Sequence, residues 1–348
     1  MNELEQLVIP LLVWYRENAR ILPWRSHPTP YRVWISEIML QQTRVSAVLD
    51  YYRRFLQQAA TVEELASLPE EKLMKLWQGL GYYSRARNLQ KAAIQIVEQW
   101  GGIFPNTYDA IRSLPGIGDY TAGAISSIAF GIPVPAVDGN VLRVTARVCA
   151  DREDISTPAM KRKITQALQQ VIPLDSPGDF NQALMELGAT VCLPNGAPLC
   201  QTCPIAAICR SYQKGLTDEI PVKGAKKARR VEQRLVYLLF FQDRVALRLR
   251  PKEGLLAGLW EYPNELNDGT DWPAYWGLTS TKLERGGSGK HIFSHIEWHM
   301  TALLGHLSDA ELPSGWVWAS RDELRDIYPI PNAFQCFSLQ VEHYLGPL

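Results

Sequence analysis

The chain has 348 residues, with 36 basic and 36 acidic side chains and 46% hydrophobic residues, which suits about two ordinary globular domains. No apolar run reaches the roughly 18 residues of a membrane span. Glu3 and Glu5 also stand where a secretory signal would be basic. We therefore exclude membrane and secreted classes and expect a cytoplasmic protein.

The charge is unevenly distributed along the chain. Residues 1–230 hold 26 Lys and Arg against 21 Asp and Glu, whereas residues 231–348 hold 10 against 15. A basic first part suits contact with DNA, but so small an excess is more typical of an ordinary solvated surface. The charge alone therefore does not identify a partner.

Residues 1–212 are predicted to be mostly helical. Leu4, Leu7 and Leu11 recur at helical spacing near the start, and Thr61–Glu64 has the form of a capping box before another helical stretch. Proline and glycine separate these segments, and no long run alternates with a period of two. The first domain is therefore expected to be mainly α-helical.

A glycine-containing turn, Leu114–Ala122, lies within this helical part. Gly116 and Gly118 allow a tight turn between two helices, and Asp119 could cap the helix that follows. The backbone N–H groups of such a turn can bind a phosphate without a lysine. A plain connection between helices is the other interpretation, and the turn by itself leaves both open.

Two acidic residues stand out in otherwise apolar surroundings. Asp138 follows the apolar loop Pro133–Val137 and precedes a helical segment, where an aspartate is commonly an N-cap. If the upstream turn anchors a phosphate, however, this carboxylate comes within reach of a deoxyribose. Glu37 lies between Ile35 and Ile38, where a charge is costly to bury unless it has a partner or a role.

Four of the six cysteines fall within 18 residues, at Cys192, Cys200, Cys203 and Cys209. Four thiolates at close, irregular spacing can hold a [4Fe–4S] cluster. Zinc is the alternative, but structural zinc sites usually pair two short knuckles and only one is present here. We therefore predict an iron–sulfur cluster. The isolated Cys149 and Cys336 are predicted to be buried apolar thiols.

The sequence changes character after the cysteines. Residues 213–231 lack apolar periodicity and are predicted to be a linker, with a solvated connector favoured over a phosphate-binding segment. Beyond it, Leu235–Phe241, a two-residue turn and Val245–Arg250 form a β-hairpin pattern that opens an α+β domain. The basic residues of the linker are Lys223, Lys226, Lys227, Arg229 and Arg230.

Taken in order, the glycine turn, the aspartate and the cysteine loop resemble the helix-hairpin-helix DNA glycosylases related to endonuclease III. The resemblance covers nearly all of residues 1–212 and implies two helical subdomains with the active site in the cleft between them. Members that also cut the strand carry a lysine just past the hairpin glycines, where this chain has Tyr120. The resemblance therefore implies a monofunctional glycosylase, because imine formation needs an amine.

Further segments resemble the adenine-specific MutY branch of this superfamily. They are Leu22–Arg25, Pro30–Thr43, Gly79–Leu89, Gly254–Pro263 and His291–His295. The last two resemble the Nudix-like domain of that branch. The acidic run of Nudix hydrolases is missing, so this domain is expected to recognise and not to hydrolyse. One departure is the first cysteine gap, which is seven residues where the family usually has six; it bears on cluster stability and leaves the ligands unchanged.

The resemblance implies catalytic roles for four residues. Glu37 would protonate adenine, and Asp138 would stabilise or bond to the sugar cation, as paired carboxylates do in glycosidases. Tyr120 and Asn140 would orient water and the carboxylates by hydrogen bonding.

The resemblance also implies a set of DNA- and substrate-binding residues. Gln42 and Tyr82 would fill the space left by the flipped base, although Tyr82 could be a core aromatic. Ser294, between Phe293 and His295, would recognise 8-oxoguanine, although this segment could be a plain turn at a strand edge. The other implied contacts are Arg25, Leu40, Thr43, Leu80, Gly116, Gly118 and Gln182.

We therefore expect a helical glycosylase domain at 1–212 with its cluster loop at 192–209, a linker at 213–231 and a Nudix-like α+β domain at 232–348. The expected activity is removal of adenine opposite 8-oxoguanine or guanine in base excision repair. The expected partner is duplex DNA, bound by a monomer in the bacterial cytoplasm at the nucleoid, without a membrane.

Two alternatives remain open from the sequence. One is an endonuclease III-like glycosylase and lyase acting on oxidised pyrimidines, which Tyr120 and the second domain disfavour. The other is a non-catalytic iron–sulfur DNA-binding protein, which Glu37 and Asp138 disfavour because binding alone needs neither carboxylate.

Overall fold

The structure is a computed structural model that describes residues 3–225, 228–278 and 282–346. Its contacts divide the chain into two compact units. The first is Met1–Ser67 with Asn88–Ala225, and the second is Leu68–Arg87 with Lys226–Leu348. A segment from the helical part of the sequence thus belongs to the second unit. The division at 212 and 231 stays a prediction.

The helical character expected for residues 1–212 is confirmed. Proline opens four of the helices, at a position where its missing N–H leaves no hydrogen bond unmade. The helices are α1 (Glu3–Gln6), α2 (Val8–Asn18), α3 (Pro23–Ser26), α4 (Pro30–Leu40), α5 (Val45–Gln58), α6 (Val62–Ser67), α7 (Glu70–Trp77), α8 (Ser84–Trp100), α9 (Tyr108–Arg112), α10 (Asp119–Phe130), α11 (Gly139–Cys149), α12 (Pro158–Gln169), α13 (Pro177–Thr190) and α14 (Arg210–Gln213).

Two expected helix caps have different outcomes. Thr61 Oγ1 accepts the backbone N–H of Glu64 at 3.2 Å, so the cap before α6 is confirmed. The expected cap at Asp119 is wrong, because Gly118 occupies the N-cap position and Asp119 is already the first residue of α10. The Asp119 carboxylate instead accepts Arg112 Nε at 2.6 Å.

The core of the first unit places α2, α11 and α13 together. Leu7, Leu11, Val144, Leu184 and Leu187 are all buried within it. Complete burial of each leucine contributes roughly 1.5–3 kcal/mol. This packing holds the start of α11 beside the C-terminal part of α13, near the polar residues described below.

The second unit is built on one seven-stranded mixed sheet of order β3-β2-β1-β6-β5, with β4 also paired to β1 and β7 to β2. β1 and β6 are parallel, and the other pairs are antiparallel. Phe240 pairs with Val245, which confirms the expected hairpin. The elements are β1 (Arg230–Phe241), β2 (Arg244–Leu249), β3 (Trp260–Glu261), β4 (Asn264–Leu266), α15 (Trp272–Tyr275), β5 (Glu284–Ile292), β6 (Ile296–His306), β7 (Trp316–Ser320), α16 (Arg321–Asp326) and α17 (Ser338–Leu345).

Hydrogen bonds connect α7 and the loop after it to other parts of the second unit. Lys75 Nζ donates to the Leu324 carbonyl at 2.9 Å, and Asn332 Nδ2 donates to the Gly79 carbonyl at 3.0 Å. Gln78 Nε2 donates to the Ile330 carbonyl at 3.2 Å. Burial in this setting lowers the pKa of Lys75 to about 8.

The two isolated cysteines differ in burial. Cys149 is half-buried against the helical core, whereas Cys336 is exposed, so the expectation of a buried thiol is wrong for Cys336. Cys336 belongs to the 3₁₀ turn Asn332–Phe337, whose buried residues include Phe334 and Phe337.

Two further expectations concern the linker and membranes. The basic linker residues Lys226 and Lys227 lie outside the described residues, and Lys223, Arg229 and Arg230 are exposed. Within the described ranges, no helix is long and apolar enough to cross a membrane.

Candidate active site

A cavity of about 590 Å³ in the first unit is lined by all four residues expected to be catalytic. It lies among α3, α4, α10, α11 and α13, so short motifs far apart in the sequence meet at one place. Expected catalytic residues in its lining are Glu37, Tyr120, Asp138 and Asn140, and expected substrate contacts are Arg25, Leu40, Gln42, Thr43 and Gln182.

Glu37 is a buried acid on α4. Its side chain is 6% exposed and accepts a 2.5 Å hydrogen bond from the Tyr120 hydroxyl. Burial raises the pKa of Glu37 to about 7, with Asp138 adding to the rise, while the Tyr120 hydrogen bond and the charge of Arg25 oppose it. A glutamate in this range can hold a proton near neutral pH and release it to a base.

Asp138 occupies the N-cap position of α11 and faces the same cavity. Its Oδ1 accepts the Val141 N–H at 2.7 Å, and its Oδ2 accepts Asn140 Nδ2 at 2.7 Å. Burial raises the pKa of Asp138, although these hydrogen bonds oppose the rise. The helix cap and the functional interpretation are therefore compatible, because capping fixes the direction of the carboxylate.

Asn140 is itself held by the residues around it. Its Oδ1 accepts Arg143 Nη2 at 2.9 Å, and the same nitrogen donates to the Gly188 carbonyl at 2.6 Å. Gly188 permits this packing, because a Cβ at that position would lie 2.5 Å from the Asn140 Cβ. Arg143 Nε also donates to the Cys192 carbonyl at 2.8 Å. Asn140 is thus tied to α13 and to the start of the cysteine loop.

The expected hairpin joins α9 to α10. Gly116 has φ 76°, a left-handed conformation that favours glycine, and the Ile117 N–H bonds the Leu114 carbonyl at 3.1 Å. Gly118 is extended and leads directly into α10. The expected tight turn between two helices is therefore present, and it ends at the N-terminus of α10.

Gln42 follows α4 in an unusual backbone conformation. Its φ is 59°, which is sparsely populated for a residue with a side chain and typically costs about 1–3 kcal/mol. Such residues cluster at functional sites when the surrounding structure enforces them. Gln42 lines the cavity, as do the neighbouring Leu40 and Thr43.

A second cavity, of about 410 Å³, lies in the second unit. The Tyr82 hydroxyl is 3.1 Å from Ser294 Oγ, and Tyr82 is another non-glycine residue with positive φ, at 47°. At 47% exposure, Tyr82 is not a core aromatic. The structure brings five expected binding residues together here, Leu80, Tyr82, Phe293, Ser294 and His295.

The four clustered cysteines line one small cavity beside α11 and α13. All four are free thiols, and Arg147 Nη1 lies 3.2 Å from Cys192 Sγ. Burial raises the pKa of the Cys203 thiol to about 12, and the neighbouring cysteines add to the rise. Within the described residues, no three His, Cys, Asp or Glu side chains are grouped to hold one metal ion.

Three charged residues that line the 590 Å³ cavity were not singled out from the sequence. Arg20 and Lys161 line the cavity, as does Glu186 on α13. Glu186 could have been noticed, because it is an isolated acid in an apolar helical stretch, as Glu37 is. Arg20 and Lys161 have ordinary surroundings in the sequence and offered no such indication.

Comparison with known proteins gives a family match in each part of the chain. A family model described as HhH-GPD superfamily base excision DNA repair protein matches residues 35–172, and a NUDIX domain model matches residues 235–338. An adenine DNA glycosylase of Rattus norvegicus is 35% identical over 97% of this chain and 78% of its own length. The chain belongs to the adenine DNA glycosylase family.

Solved structures agree with the helical fold of this family member. A thermostable thymine-DNA glycosylase is 28% identical with a TM-score of 0.55, over 61% of this chain and 97% of its own. An endonuclease III in a non-covalent DNA complex is 25% identical with a TM-score of 0.52, over 62% of this chain and 99% of its own. The expected fold class, a helix-hairpin-helix glycosylase domain with a Nudix-like α+β domain, is confirmed.

Proposed function

We propose that this protein removes adenine from duplex DNA by hydrolysing the N-glycosidic bond where adenine faces 8-oxoguanine or guanine. One observation carries the proposal: the carboxyl groups of buried Glu37 and half-buried Asp138, which have different hydrogen-bond partners, line one cavity. Such a pair supplies an acid and a cation stabiliser. Relatives described as adenine DNA glycosylases support adenine as the base.

Glu37 acts first, as the acid. A base inside a duplex cannot enter the cavity, so adenine must be flipped out of the stack. Protonated Glu37 then transfers its proton to a ring nitrogen of adenine, N7, which allows the base to leave neutral. The Tyr120 hydroxyl continues to donate to the carboxylate that remains, and this hydrogen bond stabilises the new charge.

Asp138 acts as the bond between C1′ and the base breaks. Its carboxylate, oriented by the Val141 N–H and Asn140, stabilises the positive charge at C1′ or bonds to that carbon. Water then forms the new C1′–O bond and gives a proton to ionised Glu37. Where Asp138 has bonded to C1′, that bond breaks in this step and Asp138 leaves as a carboxylate. The products are free adenine and an abasic site.

Base removal without strand cutting follows from Tyr120 in the lysine position, since a phenol forms no imine. Lys161 also lines the cavity and carries an amine. Lys161 has no covalent role in the proposed reaction. Borohydride trapping therefore distinguishes base removal alone from base removal with strand cutting.

DNA recognition is proposed to use both units. In the second unit, Ser294 would contact 8-oxoguanine together with Leu80, and Phe293 and His295 lie beside it. Tyr82, whose hydroxyl is hydrogen-bonded to Ser294, would fill the vacated stack together with Gln42 of the first unit. Thr43 would also contact 8-oxoguanine, and Leu40 lies beside Gln42 in the cavity lining. Arg25 and Gln182 would contact adenine, and the hairpin at Gly116 and Gly118 would bind a phosphate. We further propose a monomer acting on nucleoid DNA in a bacterial cytoplasm.

A [4Fe–4S] cluster is proposed at Cys192, Cys200, Cys203 and Cys209. The residues fit such a group, because four thiols line one cavity and four cysteine thiolates are the ligand set of [4Fe–4S] clusters. The bound cluster would supply four iron–thiolate bonds that hold loop 192–209 in place. Arg147 would offset negative charge at Cys192.

The test uses three duplexes that contain adenine opposite 8-oxoguanine, adenine opposite cytosine, or thymine glycol. We expect adenine release from the first duplex, with strand breaks only after alkali. Glu37→Gln and Asp138→Asn should each reduce release by orders of magnitude while DNA binding persists. Release of the oxidised pyrimidine, or borohydride trapping on Lys161, would overturn the proposal.

A further inference from the structure

Glu186 on α13 is a buried acid to which the proposed mechanism gives no role. Its side chain is 1% exposed and lies in the wall of the active-site cavity. Oε1 accepts Arg20 Nε at 2.6 Å and the Arg20 backbone N–H at 3.2 Å. Oε2 accepts Arg20 Nη2 at 2.9 Å and Arg25 Nη2 at 2.8 Å. One carboxylate thus binds two guanidinium groups.

This arrangement keeps Glu186 ionised. Burial by itself would raise the pKa of Glu186, but hydrogen bonds and charge from Arg20 and Arg25 outweigh it and hold the pKa below the usual glutamate range. A buried charge is tolerated when such partners satisfy it, and removing one partner is costly. Stability alone does not require this arrangement, since apolar residues could fill the same space.

Arg25 is the partner that connects Glu186 to the chemistry. Its side chain is 16% exposed, its Nη1 donates to the Arg20 carbonyl at 3.1 Å, and its guanidinium lies 5.5 Å from the centre of the Tyr15 ring. Its charge acts on Glu37 across the cavity. A guanidinium has five N–H donors, and Glu186 and Arg20 accept two of those of Arg25, which leaves donors for a bound base.

We propose that Glu186 is a positioning residue for base release, holding Arg25 at the cavity wall so that the guanidinium meets the flipped adenine in one fixed orientation. The inference rests on the proposed function. Arg25 comes from the short helix α3, whereas Glu186 belongs to the core helix α13, so the ion pair transfers the rigidity of the core to a side chain on a short segment. Fixed orientation of a binding group can be worth roughly 100-fold in rate.

The test measures single-turnover adenine release from a duplex with adenine opposite 8-oxoguanine. Glu186→Gln should lower the rate constant roughly 10- to 100-fold, with little change in the dissociation constant for the duplex. Glu186→Asp, which keeps the charge, should recover part of the rate. In an Arg25→Gln background, Glu186→Gln should cost almost nothing more, because the residue it positions is already absent.

Asp179→Asn is the matched control, because Asp179 is an acid on the same helix outside the cavity lining. The variant should release adenine at the same rate as the unaltered protein. Thermal unfolding checks that each variant is folded. If Glu186→Gln does not fold, Glu186→Asp is compared by itself and in combination with Arg25→Gln. Normal release by the Glu186 variants, or losses that multiply in the double variant, overturns the inference alone. No adenine release by the unaltered protein contradicts the proposed function, and this inference with it.

Discussion

Glu37 and Glu186 show how partners decide what a buried glutamate can do. Both line the same cavity and both are almost fully buried. Glu37 has a phenol as its direct partner, so burial prevails and raises its pKa to about 7. Glu186 has two guanidinium groups, and they hold its pKa below the usual range. The first is suited to donate a proton, and the second to remain a fixed anion.

In the proposed reaction, Tyr120 sets the upper pH limit of base release through its effect on the pKa of Glu37. Its hydroxyl donates to the Glu37 carboxylate and lowers the pKa of Glu37, so Tyr120→Phe should raise that pKa. Since the acid must be protonated, the rate falls as pH rises through this pKa. In Tyr120→Phe the falling limb of the single-turnover pH–rate profile should therefore move up by about one unit.

The control is Tyr108→Phe, which alters a tyrosine of α9 outside the cavity lining. This variant should leave the falling limb of the pH–rate profile in place. A limb that moves to lower pH in Tyr120→Phe would show that the hydroxyl does not stabilise the carboxylate.

The sequence indicates single acids better than their partners. Glu37 is conspicuous because a charge between two isoleucines needs an explanation, and the position of Asp138 before a helix is visible in the same way. The pairing of Glu186 with Arg20 and Arg25 is not visible, since it depends on how α13 packs beside the first helices. Partner choice is a property of tertiary packing and has no local pattern.

The loop from Gly79 to Tyr82 has a constrained backbone. Three of its residues have positive φ, with 103° at Gly79, 68° at Gly81 and 47° at Tyr82. Trp77 Nε1 and Arg85 Nη2 each donate to the Gly81 carbonyl at 3.1 Å. These bonds compensate for a backbone that would otherwise be unfavourable.

Asn332 completes the support of this loop from the far end of the chain. It donates to the Gly79 carbonyl at 3.0 Å, and Tyr82 reaches Ser294 at the other side of the loop. Asn332→Ala should loosen Tyr82 and lower the preference for 8-oxoguanine over guanine opposite adenine by roughly fivefold. The measurement is the ratio of release rates on the two duplexes.

The matched variant is Gln335→Ala, which alters another exposed side chain of the same 3₁₀ turn and should leave the ratio unchanged. An unchanged ratio in Asn332→Ala would mean that the loop keeps its conformation without this hydrogen bond.

Elements were predictable from the sequence where the pattern is local. The hairpin of β1 and β2 follows from alternating residues around a two-residue turn, and the glycine turn follows from Gly116 and Gly118. The membership of residues 68–87 in the second unit was not predictable, because it depends on hydrogen bonds between groups about 250 residues apart in the sequence.

We propose that the stability of the first unit depends on a bound iron–sulfur cluster. Cys203→Ser should reduce bound iron and sulfide and lower the unfolding temperature by roughly 5 °C or more, because loop 192–209 loses an anchor. Iron and sulfide analysis with thermal unfolding measures both effects. Cys336→Ser, at an exposed thiol, should change neither. Zinc in place of iron in the unaltered protein would contradict the cluster.

The division of the chain into two units also predicts the effect of a single proteolytic cut. Because residues 68–87 belong to the second unit while their neighbours on both sides belong to the first, the polypeptide passes between the units at 67/68, 87/88 and 225/226. A protease that cuts only the last junction would give two fragments that stay bound to each other through α7 and the loop after it. The hydrogen bonds of Lys75, Gln78 and Asn332 would hold them together. Nicked protein should therefore elute as one particle and separate only in denaturant.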